Sequence, residues 1–396
     1  MIEVAADMNR DMHISIRYSM LQGLYWLSYC PIYIFATVFL LGRSFSEGEI
    51  GILLALSCLL SAVFQPFAAA AADRGRYVTL RSLMTGVCIC TVVPMLILLF
   101  IPQGKLISGI CYVVLLMLHL AYQPLLSALG MQLLNSGYAL NFGAARGIGS
   151  LCCAVLSFFL GSLTLRFSNQ CLPLLGTILY LVTILLLQTI PETKRNSGGI
   201  VPSNGTMAVL RAHRKFAILC CGIILVFISH SAINTYMIQI LQHIGKGNTE
   251  LGQVIAYTAV LEFIVMIGFS RFVKGRNCGA VLKFTSVFFV LKALFVPLAG
   301  NLFLLYAALL TQVLSFALFT PASVYYANQI LEAGDKIKGQ AILTIAITIG
   351  NIAGSFLCGS FIELWGITIA ILITAGLAAI GMLFFWFGAE KSSSIQ

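Results

Sequence analysis

The chain has 396 residues, of which 60% are hydrophobic and 9% charged, with a mean hydropathy of +0.99 and a formal net charge of +10. Soluble domains carry about 25% charged residues, so a water-soluble enzyme or binding module of this size is excluded and an integral membrane protein is predicted. The basic balance does not point to nucleic acid, because the charges sit in short connections between apolar runs, where they set membrane orientation.

The first seventeen residues mix Glu3, Asp7, Arg10, Asp11 and Arg17 without an apolar core. No cleavable signal peptide is read there, and the first span is expected to be its own export signal. Apolar runs then cover 18–41, 49–72, 79–101, 106–134, 142–165 and 171–190. A polar stretch, 191–214, follows, rich in Gly, Ser, Asn and Pro, and reads as a flexible cytoplasmic linker. Six more runs cover 215–243, 250–272, 280–299, 303–330, 340–362 and 366–389. Runs of this length suit helices rather than the weaker alternation of barrel strands. The fold class is therefore all-α, with twelve transmembrane helices in an N-terminal half, 1–190, and a C-terminal half, 215–396.

With the N-terminus inside, seventeen Lys and Arg fall in inner segments and four, Arg43, Lys105, Arg166 and Lys246, in outer loops. The asymmetry predicts a multi-pass protein of the cell membrane with both termini in the cytoplasm. Most of the twelve cysteines, Cys58, Cys88, Cys90, Cys152, Cys153, Cys220 and Cys221 among them, lie inside spans. They read as small apolar residues rather than a disulfide framework. No Cys/His metal spacing and no cofactor motif is found.

A weak echo links the halves. Asp73-Arg74-Gly75-Arg76 follows span 2 and Lys274-Gly275-Arg276 follows span 8, while Asn141-Phe142-Gly143 opens span 5 and Lys338-Gly339-Gln340 opens span 11. Either this is an internal repeat or short basic loops coincide. Two parallel six-helix halves are the architecture of alternating-access carriers, whose site lies near the midplane.

The segment Ser46-Glu47-Gly48-Glu49-Ile50-Gly51, then Phe64-Gln65-Pro66-Phe67 and Ala72-Asp73-Arg74-Gly75-Arg76, resembles spans 2 to 3 of the major facilitator superfamily. The branch it looks most like is the lactose-permease-like and phenylpropionate-permease-like one. The resemblance implies that Asp73, Arg74, Gly75 and Arg76 form a gating loop; ordinary positive-inside charge explains the arginines but not Asp73. Asn141-Phe142-Gly143-x-x-Arg146 is similar to the start of that branch's fifth helix, which implies that Arg146 binds substrate. Its five donors and permanent charge suit a carboxylate or hydroxyl-rich ligand, and snorkelling to headgroups is the alternative.

Glu262 lies mid-span among Leu261, Phe263 and Ile264, too far from either end to snorkel. A carboxyl that alternates between dry and wet surroundings can take up and release a proton, the chemistry of a proton-coupled carrier. The resembling branch has an acid at the matching place and a basic residue matching Lys292, which implies that Lys292 helps discharge Glu262. A permanent ion pair of Glu262 with Lys292 or Arg146 is the alternative.

Departures from the sugar-carrying members are also visible. An acid is replaced near Ala128, a sugar-stacking tryptophan near Cys153, the span 10 base, histidine and acid by Val313, Phe316 and Phe319, and a lysine near Ala346. Lactose recognition is not expected. Remaining candidates for substrate contact are Tyr25, Trp26 and Tyr29 at helical spacing, Gln65 before a proline, and His119, Gln123, His230, Asn234, Gln239, Gln312 and Asn351 inside spans. The histidines could equally bond neighbouring helices, and span-end aromatics often anchor at the interface.

The expected function is a monomeric secondary transporter, not an enzyme, that moves a small organic solute, with protons, across the bilayer. A proton-driven multidrug or metabolite exporter of the same fold is the alternative. A membrane enzyme would need a converging catalytic constellation, whereas these ionisable residues stand on different spans. A receptor that binds without transport is a third class.

Overall fold

The computed structural model of the chain describes residues 2–74, 79–100, 104–138, 140, 142–192, 206–273, 277–331 and 335–390. The helices in order are α1 (Ile2–Tyr29), α2 (Ala36–Leu41), α3 (Glu47–Arg74), α4 (Leu80–Phe100), α5 (Lys105–Asn135), α6 (Phe142–Phe167) and α7 (Cys171–Leu187). They continue as α8 (Thr206–Ala212), α9 (Arg214–Thr235), α10 (Met237–His243), α11 (Asn248–Val273), α12 (Cys278–Phe295), α13 (Leu302–Leu309), α14 (Leu318–Ile330) and α15 (Lys336–Gly388). Two π-turns, Cys30–Ile34 and Val313–Ala317, join α1 to α2 and α13 to α14. Within α15, Gly366 has φ 79° and ψ 168°, a conformation open to glycine, and divides that stretch into two helices. Joined across the π-turns and the α9–α10 bend, the described elements make twelve rods plus the short α8. Among the described residues, eight helical stretches, Leu302–Ile330 across α13 and α14 included, are long and apolar enough to cross a membrane by length and composition.

Local chemistry explains the element ends. Ser46 and Glu49 form a reciprocal capping box at the start of α3, with Ser46 N–H donating to Glu49 at 2.8 Å and Glu49 N–H to Ser46 Oγ at 3.3 Å. At the start of α11 the Gly247 N–H donates to Glu250 at 2.9 Å, which repeats half of that box. Asn277 and Asn301 cap α12 and α13 by accepting from Ala280 and Leu304 N–H. Pro31 has no N–H to donate, and the turn around it widens until Phe35 N–H reaches Cys30 O.

Two readings of the sequence differ from the structure in detail. The first helix starts at Ile2 rather than at 18, because a helix satisfies its own backbone and continues where hydropathy falls. The stretch read as a flexible linker contains α8, whose Val209 is buried in an apolar cluster with Phe216, Leu219 and Cys220.

The chain forms two compact units. The first comprises 1–45 and 56–199, the second 46–55 and 200–396, so the opening turns of α3 pack with the second unit. In the first unit α1 packs on α6 and α7, and α4 on α5 and α7. Arginines there close helix ends: Arg17 donates to Thr189 O at 2.7 Å, Arg43 to Leu98 O at 2.8 Å, and Arg81 to Ile190 O at 2.9 Å. In the second unit α9 lies along α15, and the core gathers Phe216, Phe227, Phe289, Phe319, Tyr326 and Phe385. Tyr236 donates to Ser355 O at 2.8 Å and to Glu47 O at 3.2 Å, and Gly48 N–H donates to Glu363 at 3.0 Å, which fastens the start of α3 there.

The α9–α15 contact depends on missing side chains. A Cβ on Gly350 would stand 2.7 Å from Ile224 O, one on Gly381 2.9 Å from Gly222 O, and one on Gly354 would overlap Ile228 O. Small residues of this kind let membrane helices approach backbone to backbone. Gly354→Ala is therefore expected to destabilise the protein by about 1–3 kcal/mol through overpacking. Gly86→Ala, on α4 with nothing within 4 Å of the added methyl, is expected to be neutral or stabilising by up to about 1 kcal/mol. Thermal unfolding of the two variants in detergent checks the contrast.

Candidate functional site

In the second unit, four rods contribute to one polar chain in which Lys292, Gln312 and His230 are buried. Lys292 on α12 is 1% exposed, and its ammonium donates to Gln312 Oε1 at 2.5 Å. The other end of that amide, Nε2, donates to Glu262 Oε1 on α11 at 2.6 Å. Lys292 Nζ also faces His230 Nδ1 at 3.5 Å, and the His230 Nε2 lies 2.9 Å from the Asn234 amide one turn along α9. Both groups that face the ring, the Lys292 ammonium and the Asn234 Nδ2, are donors, so the place of the ring proton depends on which of the two nitrogens accepts.

Aromatic rings surround His230 at one end of this chain. His230 stacks on Phe316 with centroids 4.6 Å apart and planes 14° from parallel, and Phe227 and Phe289 meet it edge-on at 5.4 and 5.5 Å. Removing water in this way strengthens each polar contact and makes any unmade one costly. A buried ammonium without partners costs several kcal/mol, so Gln312 and His230 are what permit Lys292 to stand there.

The first unit carries a second cluster, built from π-faces. Tyr25, Tyr29 and Tyr33 recur every four residues on one face of the first rod, with Trp26 beside them. Tyr29 stacks on Tyr33 at 4.8 Å, Trp26 leans on Tyr29 at 5.0 Å, and Tyr25 stacks on His119 of α5 at 4.9 Å. His119 is fully buried behind this layer, its Nδ1 2.8 Å from the Tyr180 hydroxyl of α7. Gly149 on α6 is the seat of the Trp26 indole, since a Cβ there would overlap the ring. Trp26, Tyr29 and Tyr33 remain half-buried. Behind them Cys30 and Cys153 bring their sulfurs to 3.1 Å, with Ser157 donating to Cys30 at 3.3 Å, and all twelve cysteines are free thiols.

The sequence candidates thus sort into two groups. Glu262, Lys292, His230, Asn234 and Gln312 come together in the second unit, and Tyr25, Trp26, Tyr29 and His119 in the first. Gln65 on α3 bonds Ser61 at 3.3 Å, Gln123 gives its backbone oxygen to Ser127, and Asn351 on α15 gives its backbone oxygen to Ser231 at 3.1 Å; none of the three joins either cluster through those bonds. Gln239 on α10 is buried. Arg146 lies in the first turns of α6 and Asp73 and Arg74 at the end of α3, but their side chains are outside the described residues, as Gly75 and Arg76 are entirely. Sequence reasoning missed Tyr33, Tyr180 and the collar of Phe227, Phe289 and Phe316 as site residues. The four-residue spacing from Tyr29 to Tyr33 was the available signal for the first, whereas the phenylalanines look like ordinary core. Among the described residues no group of three or more His, Cys, Asp or Glu could hold a metal ion.

Comparison with known proteins adds the family. The structure is similar to that of the nucleoside transporter NupG, with a TM-score of 0.80 at 13% identity over 94% of this chain and 98% of that one. It is also similar to a bacterial homolog of the human lysosomal transporter Spinster in an inward-facing, unoccupied conformation, with a TM-score of 0.73 at 14% identity over 96% and 97%. The human organic anion transporter MFSD10 (TETRAN) gives a TM-score of 0.67 at 12% identity over 95% and 99%. No curated protein matches the sequence. At these identities the likeness establishes the fold, that of major facilitator transporters, and these relatives are membrane transporters rather than enzymes. Residues 18–372 match the MFS_1 like family, and the chain, a membrane-embedded protein of the transporter class, belongs to it.

Proposed function

We propose that this protein is a proton-coupled symporter that carries a small, ring-bearing organic solute across the cell membrane by alternating access. Both termini are cytoplasmic, the working unit is a monomer, and the lactose-permease-like and phenylpropionate-permease-like branch supplies the nearest mechanistic pattern. The observation that carries the reading is the Glu262–Gln312–Lys292 chain, in which Gln312 and Lys292 are buried and Glu262 is partly so. A carboxylate held at membrane depth by donors is a group that can exchange a proton when water reaches it, and a lysine in the same chain favours its discharged form.

Within this reading Glu262 carries the proton and Lys292 tunes it. Arg146 binds a polar or anionic part of the solute, and Trp26 and Tyr29 offer ring faces to its planar part, where stacking is worth about 0.5–1.5 kcal/mol per pair. Tyr25 and His119 support that layer. Gln65, Gln123, His230, Asn234 and Asn351 supply further polar contacts, Gln312 acts through the two charges it bonds, and Asp73, Arg74, Gly75 and Arg76 gate the cytoplasmic side. The fold shared with a nucleoside transporter supports placing nucleosides among the candidate solutes. Export by proton antiport is the second reading, supported by the fold shared with an organic anion transporter.

Uptake into proteoliposomes under an imposed proton gradient tests the coupling, with uridine, adenosine, 3-phenylpropionate and a short glycoside as the panel. Accumulation in the wild type is expected to follow the gradient, and Glu262→Gln is expected to lose accumulation while still exchanging solute. Accumulation that survives Glu262→Gln sinks the proton assignment, and solute expelled against the gradient selects export.

A second measurement reads the ring face. The chain has three tryptophans, so a variant with Trp365 and Trp386 changed to Phe reports from Trp26 alone. Uridine or 3-phenylpropionate is expected to quench that fluorescence, and Tyr29→Ala to weaken binding by about tenfold. Quenching by the glycoside and not by the planar ligands would count against a ring-bearing solute.

A further inference from the structure

Gln312 stands at a junction that neither Glu262 nor Lys292 explains. We infer that it is a positioning residue whose side-chain amide links the Glu262 carboxylate to the Lys292 ammonium, with the π-turn Val313–Ala317 as its movable joint. This rests on the proposed coupling role of Glu262 and Lys292 and goes beyond it by naming what connects them.

The direction of the amide is fixed by chemistry. An ammonium has three donors and no acceptor, so the oxygen of Gln312 must face Lys292, and the observed 2.5 Å contact is of that kind. The NH2 end is then left to donate, and it meets an acceptor, the carboxylate of Glu262, at 2.6 Å. Both bonds involve a charged partner and are short, as charge-assisted bonds are. Gln312 itself is 3% exposed, so the amide is consumed by these two neighbours.

Polarisation passes along such a chain. A charge on Lys292 draws electron density towards the amide oxygen and makes the NH2 group a stronger donor to Glu262, and a charge on Glu262 acts in reverse. The amide thus lets each charge stabilise the other through a bridge, and that link can be broken by moving one side chain.

The backbone supplies the means of moving it. Gln312 immediately precedes the π-turn, and that turn packs on both α11, which carries Glu262, and α12, which carries Lys292. Phe316, inside the turn, is the ring stacked on His230, and His230 faces Lys292. A π-turn holds one residue more than the α-helix would, and such turns gather at functional sites. Relaxing it to α-helix would rotate Gln312 relative to Phe316 and release the bridge and the stack together.

The test needs no solute. Lys292→Met and Glu262→Gln are made singly and together in the full chain, once with Gln312 and once with Gln312→Met, and thermal unfolding midpoints are read in detergent. With Gln312 present the two changes are expected to be non-additive by about 3 °C or more, and with Gln312→Met to become additive. An amide with only a packing role would lower all midpoints alike and leave the coupling intact. Gln312→Asn, which keeps the amide but is one methylene too short to span both partners, is the second background and is expected to lose the coupling as well. Coupling that persists in both altered backgrounds, or additivity with Gln312 present, overturns the inference. Transport by Glu262→Gln is read separately: normal accumulation there would sink the coupling role of Glu262 without changing the cycle.

Discussion

Hydrocarbon offers no hydrogen bonds, and that constraint shapes nearly every polar contact in this protein. A donor or acceptor that water does not reach must find its partner within the chain or cost several kcal/mol. Hydroxyls inside the spans turn back onto their own helices, as Thr91 does to Val87 O at 2.7 Å and Thr177 to Pro173 O at 2.8 Å. Arginines at the helix ends collect the last carbonyls. Lys292 is the most demanding case, because its charge is fully buried and long side chains of its kind normally reach for the interface. Gln312, Glu262 and His230 form the arrangement that answers it, and the phenylalanine collar keeps water from competing.

The same constraint governs packing. Apolar burial gives membrane helices no preference for each other over lipid, so contact must come from close fit. Gly350, Gly354 and Gly381 let α15 lie backbone to backbone with α9, and Gly51 and Gly359 do the same where the start of α3 meets the second unit. A residue that widens a helix is tolerated where it creates something the regular helix could not. Both π-turns fit that description, one leading from the tyrosine face of α1 and one following Gln312. In each case the irregular turn stands beside a cluster of functional candidates rather than in a plain stretch of wall.

The two clusters divide the chemistry between them. The first unit offers stacked rings with little charge, and the second holds the acid and base that the proposed function assigns to proton exchange. A carrier that couples a solute to an ion needs both kinds of site.

Class, span number and charge asymmetry were legible in the sequence because they depend on composition and on the length of apolar runs, which are local sums. The isolation of Glu262 in an apolar span was legible for the same reason. The resemblance named Lys292 as acting on Glu262, but the amide that stands between them was not legible. Gln312 lies fifty residues further along the chain and Lys292 thirty, and an amide that bridges a carboxylate and an ammonium has no sequence spacing of its own. His119 and His230 looked equivalent as single polar residues, yet packing made one the backing of a tyrosine stack and the other a neighbour of Lys292. Composition decided that the chain must live in a membrane, because too few charges remain to face water; only the tertiary structure decided which buried polar groups meet, because hydrogen bonds act over about 3 Å and that distance is set by how helices pack.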